Sequence, residues 1–176
     1  DRSQRYNEII KDPSNKNKTV LFVHDDVILE DIFLYEKLIE SPYSITGLAG
    51  AKSFNKNNPK LAWHLSAPRQ DLVGEVAHAT PEGIWTTVFG PTSTRALTID
   101  GLFISCKINK LTESNLEFDE NFDFHFYDLA FCMRANSRKV TCGVLPIRVV
   151  HLGLGDSMLT PEWEQANTLF LSLIHI

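Results

Sequence analysis

The sequence is poor in the features that declare the simpler function classes. Across 176 residues no run of lysine and arginine stands out, and the net charge is −5. That balance argues against a basic face for sequence-independent nucleic-acid binding. No apolar stretch reaches the ~20 residues that a membrane-spanning helix requires. The three cysteines, Cys106, Cys132 and Cys142, form no C-x-x-C pair and no metal spacing. So sparse a set suits small buried core residues in a reducing compartment. There is no internal repeat, no low-complexity tract and no coiled-coil heptad. No convincing Ser-His-Asp or Cys-His arrangement offers a protein nucleophile. The chain opens on Asp1 without a signal-type apolar core, so an upstream segment is expected. What is present is ordinary: 43% apolar and 22% charged residues, enough chain for one domain with a real core.

Apolar periodicity organises the chain as alternating helices and strands. Tyr6, Ile9 and Ile10 predict a helix over 2–11, stopped at Asp12-Pro13. The run TVLFV (19–23) predicts a strand buried on both faces, as in a parallel sheet. A helix over 31–40 and a second buried strand over 44–50 follow, then a polar loop over 52–60. Short strand pieces occupy 61–91, and a strand pair broken at Asp100-Gly101 spans 97–106. A helix is expected within 118–137 and strand over 140–150, broken at Pro146. His151 then leads into a glycine turn over 153–155. Pro161 opens a last helix over 161–170. Residues 1–170 are read as one domain, and the tail 171–176 is set outside the fold.

Four features carry chemistry. His24-Asp25-Asp26 follows a strand directly, and ligands of open α/β sheets bind beyond the carboxyl ends of strands. Adjacent carboxylates suit a divalent cation that grips a diphosphate, because hard oxygens ligate hard cations. The alternative is that Asp25 or Asp26 caps the following helix. Asp128 lies among Phe124, Phe126, Leu129 and Phe131. A carboxylate in apolar surroundings has a raised pKa, suited to a general base, although it would equally serve as a partner for Arg134. His151 at a strand end suits a metal ligand or a structural histidine. Asp100-Gly101 offers a sugar-hydroxyl acceptor and a close backbone approach, or simply a turn. Trp63 and Trp85 suit stacking on a sugar face, or packing.

The ordered set YN-x-II, VLFVHDDV, ITGLAGA, DGLFIS, FDENFDFHFYDLAFCMRA and VVHLG resembles glycosyltransferase family 2, from its second helix onward, over roughly residues 4–152. The resemblance implies an α/β fold of the GT-A, Rossmann-like kind, with a mixed, mostly parallel sheet flanked by helices. It implies that Asp26 and His151 hold Mn²⁺ or Mg²⁺ and that Asp25 lies near the donor ribose or that metal. Asp100 and Gly101 would line the donor sugar and acceptor, and Asp128 would be the catalytic base. Tyr127, where the family's E-D motif usually carries Glu, and Trp85 complete the expected substrate contacts. Asn7 matches a helix residue near the nucleotide pocket. Ala130 stands where many members carry a second Asp. The strand, helix and strand that grip the nucleotide base in the family have no match here.

The resemblance therefore implies a metal-dependent, inverting transfer of a sugar from a nucleotide-sugar donor, a UDP-sugar foremost, to a hydroxyl on a glycan or other acceptor. The expected setting is surface-glycan assembly, in the cytoplasm or at the inner face of a membrane, without nucleic acid as a partner. Two alternatives stand beside it. One is a metal enzyme of the nucleotidyltransferase kind. The other is a non-catalytic carbohydrate-binding or decayed transferase.

Overall fold

Helix α1 (Arg2–Lys11) starts where the Asp1 carboxylate accepts the Gln4 N–H at 3.0 Å, a side-chain cap for an otherwise orphan donor. The structure is a computed structural model that describes residues 1–55, 57, 62–153 and 160–174. Asn7, buried on α1, brackets Phe118: it accepts the Phe118 N–H and donates to the Phe118 carbonyl. Its amide also reaches Glu120 Oε1 at 2.9 Å. Ser3 Oγ donates to the Phe122 carbonyl. These contacts tie α1 to the segment 118–123.

The strands are β1 (Thr19–Val23), β2 (Val27–Leu29), β3 (Ile45–Gly47), β4 (Ala49–Ala51), β5 (Leu72–Thr80), β6 (Gly83–Val88), β7 (Thr94–Ala96), β8 (Thr98–Ile99), β9 (Phe103–Lys107), β10 (Cys142–Val144) and β11 (Val149–His151). The remaining helices are α2 (Leu34–Glu40), α3 (Trp63–Ser66), α4 (Ile108–Glu113), α5 (Tyr127–Ser137) and α6 (Pro161–Ile174). One sheet runs β1-β9-β3-β10-β7. The other runs β2-β11-β5-β4-β8, with β6 paired to β5.

The expected mostly parallel sheet is corrected. Only β10 with β3 and β11 with β5 run parallel, and the other described pairings are antiparallel. A short turn joins one antiparallel pair, β5 with β6. The other antiparallel pairs join strands far apart in sequence, such as β1 with β9 and β2 with β11, whose direction is set by how remote segments pack. TVLFV is accordingly an edge strand, antiparallel to β9, with only Phe22 fully buried. Its continuous apolar character is met by α1, whose Tyr6 ring stacks on Phe22 at 4.2 Å between centroids.

Other boundaries also shift. The strand expected over 44–50 is two: the chain passes at Leu48 from β3 in one sheet to β4 in the other. The helix expected within 118–137, through Asp128 and Arg134, is present as Tyr127–Ser137. Ahead of it, Asp119 Oδ1 accepts from the Asn121 N–H, a local bond that competes with helix formation. Phe126 then takes a left-handed conformation, φ 65°. Residues 171–174, set outside the fold from sequence, continue α6, and Leu171 packs against the core. The core is a contiguous cluster including Ile45, Ile99, Phe103, Ile104, Phe131 and Val144. Cys106, Cys132 and Cys142 are free and buried. Among the described residues, no helix is long and apolar enough to cross a membrane.

Candidate functional site

Strand pairing brings distant residues together at one end of the sheets. β2 runs antiparallel to β11 with Val27 opposite His151, so Asp26 in the β1–β2 turn meets the end of β11. The Leu152 N–H donates to the Asp26 carbonyl at 2.8 Å, and Asp26 Oδ2 lies 3.0 Å from His151 Nε2. β5 runs parallel to β11 with His78 beside His151, their rings 5.5 Å apart. On the other side, β1 pairing with β9 continues one step past Val23. The His24 N–H donates to the Leu102 carbonyl, setting His24 against the Asp100-Gly101 turn.

The first turn of α5 faces the same turn. Asp128 Oδ2 accepts the Gly101 N–H at 3.0 Å, and its Oδ1 accepts the Leu129 N–H at 2.8 Å. Tyr127 Oη donates to the Gly101 carbonyl at 2.7 Å and lies 3.3 Å from His24 Nε2. Asp100 is held at both oxygens, by the Leu102 N–H at 2.8 Å and by Trp63 Nε1 at 2.7 Å. A Cβ on Gly101 would overlap the Tyr127 hydroxyl, so glycine is needed there for close approach.

Two adjoining cavities share Arg2, His24, Trp63, Asp100, Leu102 and Phe124 as their common wall. The smaller, about 210 Å³, has Asp128, Tyr127, Gly101 and Trp163 in its lining. The larger, about 470 Å³, holds Asp25, Asp26, His78 and His151. Burial, with the charge of nearby Asp100 adding, pushes the Asp128 carboxyl up to about 7, although the side chain keeps some access to the cavity. Burial lowers the pKa of His24, with Arg2 lowering it further. Burial likewise lowers His64 and His78. These rings are therefore neutral near pH 7 and can accept as well as donate.

Two of the structural alternatives are excluded. The carboxylate serving the start of α2 is Asp31, which accepts the Phe33 N–H at 3.0 Å, so neither Asp25 nor Asp26 has that task. Arg134 pairs with Asp119 at 3.5 Å, not with Asp128. Two expected site residues fall elsewhere. Trp85 lies 68% exposed on β6, opposite His78, and lines neither cavity. Asn7 is spent on the bridge to Phe118 and lines neither cavity. The glycine turn expected over 153–155 lies outside the described residues after Gly153, as does part of the 52–60 loop. Arg2, His78 and Trp163 were not among the expected site residues, and Phe124 was read only as apolar surroundings of Asp128. Nothing local distinguishes them; strand register and helix packing bring them in.

No group of three or more His, Cys, Asp or Glu side chains suited to a metal occurs among the described residues. The Asp26–His151 pair fits a divalent cation as a partial site. A carboxylate oxygen and an imidazole nitrogen converge, and a Cβ on Gly153 would stand 2.5 Å from Asp26 Oδ2 and 2.9 Å from His151 Nε2. Glycine thus leaves open the space that both donor atoms face. Two protein ligands suffice where substrate phosphates supply the others.

An α/β frame with acids and histidines gathered around a divided cleft at the ends of its strands is the architecture on which the comparison with known families bears. The chain belongs to the glycosyltransferase-like family, whose match covers residues 2–167. No curated protein matches it.

Proposed function

We propose that the chain is a metal-dependent, inverting glycosyltransferase that moves a sugar from a nucleoside-diphosphate donor to an acceptor hydroxyl. The observation that carries this reading is the divided cleft. A carboxylate with a pKa of about 7 lines one chamber, and an Asp–His pair lines the other. The larger chamber suits the donor and the smaller the acceptor.

In this mechanism Asp128 removes the acceptor proton as that oxygen attacks the anomeric carbon. The new C–O bond forms as the bond to the diphosphate breaks, and the diphosphate leaves with the electron pair. The Gly101 and Leu129 N–H groups hold both Asp128 oxygens and orient the carboxylate. Tyr127, fixed to the Gly101 carbonyl, keeps the Asp100-Gly101 turn against the reacting centre. Asp100, locked by Trp63 and Leu102, presents its acceptor edge to sugar hydroxyls. Asp26 and His151 would hold Mn²⁺ or Mg²⁺, which when bound supplies positive charge for the departing diphosphate. Asp25, exposed beside them in the larger chamber, is suited to the ribose side of the donor.

Calorimetry of Mn²⁺ with and without UDP, on the wild type and on Asp26→Ala, tests the reading. Binding that strengthens with UDP and disappears in the variant is the expected result. Sugar binding that is indifferent to Mn²⁺, with no UDP binding in either protein, would instead indicate a carbohydrate-binding module and end the transferase reading.

A further inference from the structure

The cleft is rich in acids: Asp25, Asp26, Asp100 and Asp128 all line it. A diphosphate entering such a space meets repulsion unless fixed cations offset it. Among the described residues, Arg2 is the single lysine or arginine that lines either cavity, and it lines both.

Its setting is unusual for a surface arginine. The guanidinium carbon lies 4.7 Å from the centre of the Phe124 ring and 5.2 Å from that of Tyr127, so two aromatic faces hold it. Nη1 lies 3.2 Å from His24 Nε2, a nitrogen partner and not a carboxylate. Asp123 is engaged by the Arg2 backbone N–H, so that contact does not involve the guanidinium. Among the described residues no carboxylate pairs with the Arg2 side chain, whereas Arg134 and Arg148 pair with Asp119 and Glu30. A part-buried cation with fixed orientation and free N–H donors is costly unless an anion completes it. The fork of a guanidinium matches the paired oxygens of a phosphate.

We propose that Arg2 binds the diphosphate of the donor, as a protein cation acting beside the Asp26–His151 pair in the same chamber. The inference rests on the transferase reading and adds to it a binding residue at the very start of α1. The rigid tie of α1 to residues 118–123 holds Arg2 in the cleft through Asn7 and Ser3. Arg2 therefore contributes affinity for diphosphate even without metal, and stabilises charge on the leaving group during transfer.

The test is calorimetry of UDP, inorganic pyrophosphate, uridine and glucuronate, each with Mn²⁺ and with EDTA, on the wild type, Arg2→Ala and Arg2→Lys. Loss of one charged fork predicts roughly ten- to a hundredfold weaker binding of UDP and pyrophosphate by Arg2→Ala. Arg2→Lys should recover part of it, and the salt dependence of binding should flatten in Arg2→Ala. Uridine binding should be unchanged and Mn²⁺ binding no weaker, which also shows that the variant is folded. Equal pyrophosphate affinity in wild type and Arg2→Ala would overturn the inference and leave the transferase reading intact. Arg2-dependent binding of glucuronate without an effect on pyrophosphate would overturn it too, assigning Arg2 to an acidic acceptor. A wild type that binds neither UDP nor pyrophosphate with Mn²⁺ would remove the transferase reading itself.

Discussion

Asp128 shows how one side chain can be tuned by what surrounds it. Its carboxyl is raised to about 7 by burial first and by Asp100 second, against the backbone N–H groups of Leu129, Gly101 and Asp128 itself, which favour the anion. In the proposed role of general base it must be deprotonated, so transfer should rise with pH through about 7 and level above it. A flat profile from pH 5.5 to 8.5, with chemistry rate-limiting, would remove Asp128 from that role. Asp128→Asn keeps the shape and can still accept from Gly101, so donor binding should persist while transfer falls by at least roughly a hundredfold. Stability should move the opposite way. A folded pKa above the model-compound value of 3.8 means that the folded state retains a proton the unfolded chain releases. The contribution of Asp128 is thus most favourable below that value and is lost as pH rises through about 7. With the cavity access discounted, the stability of Asp128→Asn relative to wild type should shift in favour of the variant by about 1–2 kcal/mol between pH 4 and pH 8, whatever constant cost comes from its amide accepting only one of the two N–H bonds. Denaturant titrations at both pH values check this.

At the scale of elements, the site depends on strained or crowded backbone. Phe126, a bulky residue at φ 65°, immediately precedes the turn of α5 that carries Tyr127 and Asp128. Such a conformation costs about 1–3 kcal/mol and persists only when its surroundings enforce it. α6 supplies that enforcement: Phe170 stacks on Phe126 at 5.3 Å and Trp163 packs against the same ring at 5.3 Å. Phe170→Ala should therefore cost about 3–5 kcal/mol and also lower transfer in the protein that remains folded, because Asp128 loses its fixed launch point. A stability loss without any change in turnover would break that link. Gly74 has the same importance on β5. It sits at φ 87°, where the strand leaves β4, and a Cβ there would collide with the Leu48 carbonyl. Gly74→Ala should destabilise by about 2–3 kcal/mol or more, read from the urea midpoint. His78 lies further along the same strand, so His78 and its neighbour His151 should shift together in the NMR spectrum of that variant.

Across the whole molecule the cleft is assembled from the first turn of α1, the ends of β1, β5, β8 and β11, and the start of α5. A ligand that binds this assembly and not the unfolded chain must stabilise the fold. UDP with Mn²⁺ at a hundred times the dissociation constant should add about 2.7 kcal/mol, a rise of about 5–10 °C in Tm. The rise should shrink sharply in Asp26→Ala. An equal rise in both proteins would place the ligand away from the Asp26–His151 pair.

The sequence by itself determined the helix over α1, the strand TVLFV, the breaks at Asp100-Gly101 and Pro146, and the order of motifs that places the chain in a glycosyltransferase-like family. Asp26 and His151 stood out as candidates because each follows an apolar strand-like run, and Asp128 because it is an acid among aromatic and apolar residues; these are local signals. The direction of the strands was not legible, because a short apolar run packs equally well in a parallel or an antiparallel ladder and the pairing of remote strands such as β1 with β9 is decided by tertiary packing. Nor was the company each acid keeps. Asp26 and His151 are 125 positions apart, and Arg2 and Tyr127 are likewise 125 apart. Such meetings are decided by strand register and by helices pinned through single buried side chains such as Asn7. Those are tertiary properties, because contacts between remote segments form only where the packed core sets distance and orientation together.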